Sequence, residues 1–357
     1  MTSEERRQSL ESLLFLEEKR SGKIKGRMCA NGSTQRSRYE KGEATSPTVS
    51  TDAVLITSAI DAHENRDVAV IDLPGAFLHA EMDDVVYMVM RGELAELMAE
   101  TAPQIYRQYV TYGKGGKAIL YVKLQKALYG CLKSALLFYR KLVGEMAEKG
   151  FILNPYDPCV ANCDVNGSQM TITWHVDDLK ISHIDAKEVT KRIDWFKSIY
   201  GKVKVSRGKL HQYLGMDMDF GEKGKLKMSM VPFLKKTINE FPEAITGSAA
   251  TPAAEHLFKV REEDDRKVIE EDRARAFHHA VAQLLFVTMR CRRDIQTAVA
   301  FLSTRVKEPD EDDWGKLKRL LKYLRGTLYL PLILEIDNLN VIKWWVDASY
   351  ALSLIHI

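Results

Sequence analysis

Three aspartates stand where carboxylates could do metal-assisted chemistry. Asp72 closes the β-branched run DVAVIDL (67–73) just before Pro74-Gly75, and Asp177-Asp178 follow the alternating segment QMTITWHV (169–176). A carboxylate at the end of a buried strand or the tip of a hairpin is costly unless something offsets its charge. A divalent cation does so: Mg²⁺ takes oxygen ligands, typically one or two carboxylates together with substrate phosphates. Three converging carboxylates can hold two ions about 3.5–4 Å apart and stabilise both the attacking and leaving oxygens of an in-line displacement at phosphorus. The plainer alternative is that Asp-Asp only marks a turn, since Asp favours turns. The apolar alternation around the pair and the distant, strand-borne Asp72 weigh against it.

The elements that must position these groups can be read from periodicity. Residues 23–30 read as a strand followed by Asn31-Gly32, a favoured hairpin dipeptide. Residues 51–64 read as a helix capped by Thr51, 67–73 as a buried strand, 84–90 and 118–124 as further strands, and 134–149 as an amphipathic helix. In 169–176, Met170, Ile172, Trp174 and Val176 alternate with polar residues, the period of a half-buried strand. A second alternating strand starts with Leu179 and Ile181, which puts Asp177 and Asp178 at a hairpin tip. A helix near 186–199 and strands at 202–205, 211–220 and 225–230 follow; then come helices near 272–305 and 310–325, and strands again over 328–347. That order predicts an α+β body, a helical domain and the start of a further unit.

Composition permits many functions and excludes few. The chain has a formal net charge of +3, which allows nucleic acid binding without requiring it. Charge is concentrated instead: Lys19, Arg20, Lys23, Lys25, Arg27, Arg36, Arg38 and Lys41 cluster among Glu17, Glu18, Glu40 and Glu43, and KLKRLLKYLR (316–325) forms a second basic stripe. Either could be a solvated face. No stretch approaches the roughly 20 apolar residues that cross a bilayer. The N-terminal segment is charged and amphipathic without a signal peptide's apolar core, and five scattered cysteines fit a reducing compartment.

The motifs, in their order and spelling, resemble the reverse transcriptase domain of copia-type LTR retrotransposons. DVAVIDLPGAFLHAEMDDVVYM (67–88) resembles the family's first catalytic motif, LQKALYGCLKSALLFY (124–139) its Leu-Tyr-Gly motif, WHVDDLKISH (174–183) its Val-Asp-Asp hairpin and HQYLGMDMDF (211–220) its primer-grip strand. KGRMCANGSTQR (25–36) resembles the basic fingers hairpin, and segments 277–303 and 317–327 resemble the helical region linking polymerase to RNase H. The resemblance implies a right-hand polymerase fold, with an N-terminal helical lead over 1–19 and fingers and palm over 20–235. A thumb or connection region over 236–327 and a truncated RNase H-like start over 328–357 would follow. It implies that Asp72, Asp177 and Asp178 bind two Mg²⁺ or Mn²⁺ ions, that Lys25 and Arg27 grip the triphosphate of a dNTP, and that Phe77 blocks a ribose 2′-hydroxyl. Gly130 would let the chain approach the nascent base pair closely. RNA or DNA template–primer and dNTPs are the implied partners, with a homodimer or other retroelement Pol and Gag products as further associations. No membrane is implied, and the family's setting is the cytoplasmic particle and the nucleus.

Several positions depart from the pattern. His175 stands where many relatives carry Tyr or Phe, and Ala135-Leu136 where they often carry Pro-Arg. KWWVDASYA (343–351) resembles the first RNase H strand with Asp347 as its first ligand, but the sequence stops at SLIHI, so a working RNase H is not expected. Cys159, Cys163, His175 and His183 mimic a zinc-finger order, yet the histidines fall on two strands of one hairpin. Two other function classes fit the carboxylates: a non-catalytic nucleic acid-binding remnant of a decayed retroelement, and a different two-metal enzyme such as a nuclease or cyclase.

Overall fold

In the computed structural model, residues 1–18, 22–113, 115–341 and 343 are described, so Asp347 and most of the expected RNase H start lie outside the described residues. Contacts divide the chain into two compact units, one of residues 1–54 with 67–215 and one of 55–66 with 216–357. No helix among the described residues is long and apolar enough to cross a membrane.

The first unit holds two sheets. Its six-stranded sheet runs in the order Lys204–Arg207, Asp67–Asp72, Asp178–His183, Ser168–His175, Val160–Val165, Ile152–Leu153. Alternation along the strands gives it two different faces. Leu179 and Ile181 align with Ile71 and Ala69 on one side and with Trp174 and Ile172 on the other, all nearly inaccessible to solvent. Helix Ala186–Tyr200 packs on strands Asp67–Asp72 and Asp178–His183 and buries Val189, Ile193 and Phe196. Helix Ser134–Glu148 brings Tyr139 to Trp174, with ring centroids 6.2 Å apart. The opposite face carries Asp72, Asp178, His175, Lys180 and Thr173. Thr171 and Thr173 are buried as well, so the strand expected to be half-buried is enclosed on both sides over 170–174.

The five-stranded sheet is ordered Ile24–Ala30, Leu10–Glu18, Tyr87–Arg91, Ala118–Lys123, Thr111–Tyr112. It contradicts the expected helical lead: helix covers only Ser3–Arg7, and Leu10–Glu18 pairs antiparallel with Ile24–Ala30 from Ser12↔Ala30 to Glu18↔Ile24. The reason is visible in SLLFL, an apolar run without helical period, which a ladder partner can use and an isolated helix cannot. It follows that Asn31-Gly32 does not join two strands; the Asn31 side chain accepts from Ser33 N–H and caps the short 3₁₀ turn Gly32–Gln35.

In the second unit, strands Met216–Asp219, Lys225–Ser229 and Leu332–Glu335 form an antiparallel ladder beside helices Val231–Glu240, Glu271–Thr288, Gln296–Arg305 and Glu311–Gly326. Two expected elements are interrupted. The strand over 211–220 breaks at Leu214-Gly215, both with positive φ, and the helix over 272–305 breaks at a 3₁₀ turn, Arg293–Ile295. The basic stripe 316–325 is mostly committed within the unit. Lys316 Nζ donates to the Lys259 carbonyl (2.6 Å) and pairs with Asp312 (2.9 Å), Arg319 donates to Thr251 Oγ1 (2.9 Å), and Arg325 to the Gly247 carbonyl (2.8 Å). Glu243 accepts from both Trp314 Nε1 and Lys318. These cations strap the irregular segment 243–268 along the helix, where the Gly247 and Lys259 carbonyls take side-chain donors.

Lys316 is almost wholly buried, so its ties are worth more than those of a surface lysine. Lys316→Ala is expected to destabilise the protein by about 1–3 kcal/mol, whereas Lys322→Ala stays within about 0.5 kcal/mol, as read by thermal denaturation.

Candidate active site

Strand register, rather than chain proximity, assembles the carboxylates. Asp72 is the last residue of its strand, and its Cα partners are Asp178 on one side and Lys204 on the other. Residues paired across a ladder point to the same face, so Asp72, Asp178 and Lys204 share one surface. His175 pairs with Asp178, leaving Val176 and Asp177 as the two-residue loop of the hairpin. Val176 has φ of 60°, a left-handed conformation that a β-branched residue adopts at a cost of about 1–2 kcal/mol. Primed hairpin turns need such a φ and usually fill it with Gly or Asn. Strain of this kind persists only where surroundings over-determine the backbone. Here Leu73 N–H donates to the Asp177 carbonyl (3.1 Å), tying the loop to the end of the Asp72 strand. Beneath the hairpin, the buried Tyr213 hydroxyl donates to the Thr173 carbonyl (3.3 Å) and lies 3.5 Å from that of Asp178.

The electrostatics follow from this crowding. Burial pushes the Asp177 carboxyl above the ordinary aspartate range against a hydrogen bond to its own backbone, and the charge of Asp72 adds to the rise. Burial likewise raises Asp178, with Asp177 and then Asp72 adding like charge. His175 and Lys204 pull both back down. Asp72 is held by the Lys204 ammonium. Among the described residues no three His, Cys, Asp or Glu side chains are gathered into a ready metal-ligating cluster. The donor set nevertheless fits a hard divalent cation. It is all oxygen, with Asp72 and Asp178 on one face and Asp177 on the adjoining loop, and two of its members are unfavourable as anions without added positive charge.

The other expected site residues belong to the same unit. Phe77 lies five residues past Asp72 on the 3₁₀ turn Ala76–His79, half-buried, its ring 4.5 Å from Tyr129 and 6.4 Å from Phe138. Lys25 and Arg27 lie on one face of strand Ile24–Ala30, where Arg27 is 3.6 Å from Glu17. Arg27 also pulls down the Tyr129 hydroxyl, which burial and then the Asp177 charge push up, so Arg27 and Asp177 both act on this ring. Gly130 has a reason within the fold itself. At φ of +90° it would place a Cβ 1.9 Å from the Ala30 carbonyl oxygen, so the protein backbone itself demands glycine there. Leu136 is buried, and the helix presents core at that position.

Two residues escaped the sequence reading. Lys204 was signalled by KVKV, whose alternation puts Lys202 and Lys204 on one face of a strand, but only register reveals Asp72 as its neighbour. Tyr129 was in view within Leu-Tyr-Gly, but nothing local ties it to Phe77.

Because Asp177 and Asp178 hold a proton more tightly folded than unfolded, the metal-free fold loses stability as pH rises from the ordinary aspartate range through the raised values. Asp177→Asn is therefore expected to raise the melting temperature in EDTA at neutral pH. Excess Mg²⁺ is expected to stabilise the wild type and leave the variant nearly unmoved. Thermal scans with and without Mg²⁺ at pH 5 and pH 8 check both signs.

Residues 14–255 match the family described as reverse transcriptase (RNA-dependent DNA polymerase). Similar proteins include the retrovirus-related Pol polyprotein from transposon TNT 1-94 of Nicotiana tabacum, 26% identical, over 85% of this chain and 22% of that one. The polyprotein from transposon RE2 of Arabidopsis thaliana is 24% identical over 92% of this chain and 21% of its own. A putative transposon Ty5-1 protein of Saccharomyces cerevisiae is 21% identical over 78% of this chain and 83% of its own. Among solved structures, a foamy viral protease–reverse transcriptase in complex with double-stranded DNA matches with a TM-score of 0.46 and 12% identity, over 90% of this chain and 44% of that one. The chain spans 22% and 21% of the two Pol polyproteins. With the match running through the strands that carry Asp72, Asp177 and Asp178, the chain belongs to the reverse transcriptase family, in its copia-type branch.

Proposed function

We propose that this chain is an RNA-directed DNA polymerase that adds dNTPs to a primer 3′-hydroxyl on an RNA or DNA template. The observation that carries the reading is the register Asp178↔Asp72, two carboxylates on one face with Asp177 at the adjoining loop, within the reverse transcriptase family. Asp72, Asp177 and Asp178 would hold two Mg²⁺ or Mn²⁺ ions. When bound, the ions supply charge neutralisation at the triphosphate and acidify the primer hydroxyl. Lys204 releases Asp72 for this role and stays within reach of the same face.

The remaining groups have binding roles. Arg27 gives a planar fork and Lys25 a point charge to the triphosphate, and Glu17 keeps Arg27 on that face until phosphate oxygens replace it. Phe77 stands beside the carboxylates as the group that a ribose 2′-hydroxyl would meet. Gly130 seats Tyr129 next to it. Fingers and palm over 20–235 would draw on the five- and six-stranded sheets, the former extended by Leu10–Glu18, and a thumb-like region over 236–327 on the helices that follow Val231–Glu240. Affinity for template–primer is mainly phosphate-driven and falls as salt rises.

Primer extension on an RNA template with dNTPs and Mg²⁺ tests the reading. The wild type is expected to extend, and Asp177→Asn to lose about 10³-fold or more while keeping salt-sensitive duplex binding. Binding by both proteins with extension by neither supports the non-catalytic remnant instead. Cleavage of the duplex, or product formed without template, points to another two-metal enzyme.

A further inference from the structure

The 3₁₀ turn that carries Phe77 is a single turn, entered through Gly75 at φ of 66°. Such a turn cannot by itself fix where an aromatic ring stands, because it has few hydrogen bonds and poor geometry. The ring is fixed from outside. Phe138, fully buried in helix Ser134–Glu148, meets it edge-on at 6.4 Å, and Tyr129 lies against it at 4.5 Å with the planes inclined by 45°. Tyr129 in turn is held by backbone. Ala30 N–H donates to the Tyr129 carbonyl (2.8 Å), and Leu132 N–H donates to Oε1 of Gln35, a side chain only 1% exposed. Gly130 fits against the Ala30 carbonyl, and a Cβ on Gly32 would stand 2.1 Å from the Gly130 carbonyl oxygen. Residues 30–35 and 129–132 thus clasp each other with little room to slide, and the clasp belongs to the same strand that bears Lys25 and Arg27.

We infer that Tyr129 is the positioning residue of the sugar gate: its ring, delivered by the 30–35/129–132 clasp, holds Phe77 where a ribose 2′-hydroxyl would collide with it, so preference for deoxynucleotides depends on Tyr129 acting through Phe77. The inference rests on the polymerase reading. It assigns Tyr129 no contact with the reacting atoms. It predicts that the ring matters and the hydroxyl does not, since the packing surface is the face of the ring. Loss of such an aromatic pair is enough to change a discrimination ratio by up to about tenfold.

The test compares kcat/KM for a dNTP and the matching rNTP, with the intact chain on one template–primer, for Tyr129→Phe, Tyr129→Ala, Phe77→Val and the double variant Phe77→Val/Tyr129→Ala. Template–primer affinity is measured alongside as a check on folding. The expected result is that Tyr129→Phe keeps the wild-type ratio, that Tyr129→Ala lowers it about tenfold mainly by admitting the rNTP, and that the double variant is no less selective than Phe77→Val. An unchanged ratio in Tyr129→Ala, equal loss on both substrates, or additive effects in the double variant would overturn the inference. If the wild type does not extend, retention of dNTP against rNTP in complexes formed with Ca²⁺ is read for the same four variants, and the same pattern decides. A wild type that neither extends nor retains a dNTP refutes the polymerase reading, and the gate with it.

Discussion

Everything at the candidate site depends on like charges being forced together. Asp72 and Asp178, which would separate in solution, are held on one sheet face, with Asp177 on the adjoining loop, by the antiparallel register of strand Asp67–Asp72 with hairpin Ser168–His183, and a one-residue slip would turn Asp178 to the opposite face. The apolar packing of Ile71, Leu179, Ile181 and Trp174 against helix Ala186–Tyr200 and its neighbours fixes that register. Burying those side chains supplies a driving force large against the repulsion it must overcome. The core and the site are therefore one design read from two faces of the same strands.

The strain at Val176 belongs to the same economy. A left-handed valine is unfavourable locally, yet the Leu73 to Asp177 hydrogen bond and Tyr213 beneath the hairpin hold the loop where it is. The raised pKa values of Asp177 and Asp178 say the same thing electrostatically: the metal-free site is poorly compensated, and Lys204 and His175 compensate it only in part. A site of this sort is held together at a cost in stability.

Around the carboxylates, the first unit brings groups from separate stretches of chain into one neighbourhood by backbone interlocking. The clasp between 30–35 and 129–132 links the strand carrying Lys25 and Arg27 to the aromatic pair Tyr129–Phe77. Glycines at 32 and 130 are required there by backbone approach. The second unit uses a different device, in which lysines and arginines of helix Glu311–Gly326 satisfy the carbonyls of an irregular strap. A run of basic residues is thereby turned into internal scaffolding.

The sequence by itself determined most of the strands and helices of the first unit beyond its N-terminal segment, and it singled out the candidate carboxylates. DVAVIDL, QMTITWHV and the helices after them are legible because burial on a strand or helix imposes its period on the residues, and Asp-Asp at the break in alternation announces a hairpin tip. The order of the motifs also carried the family. What only the tertiary structure decided is everything set by pairing between distant segments. Leu10–Glu18 is a strand because Ile24–Ala30 lies beside it, a fact that SLLFL leaves open. Lys204 faces Asp72, Tyr129 faces Phe77, Gly130 answers to Ala30, and the cations of 316–325 are consumed by a strap; none of these has a local signature. Periodicity records which side of an element is buried, but not which residue of another element covers it, and register and backbone clasping are settled only by the packing of the folded chain.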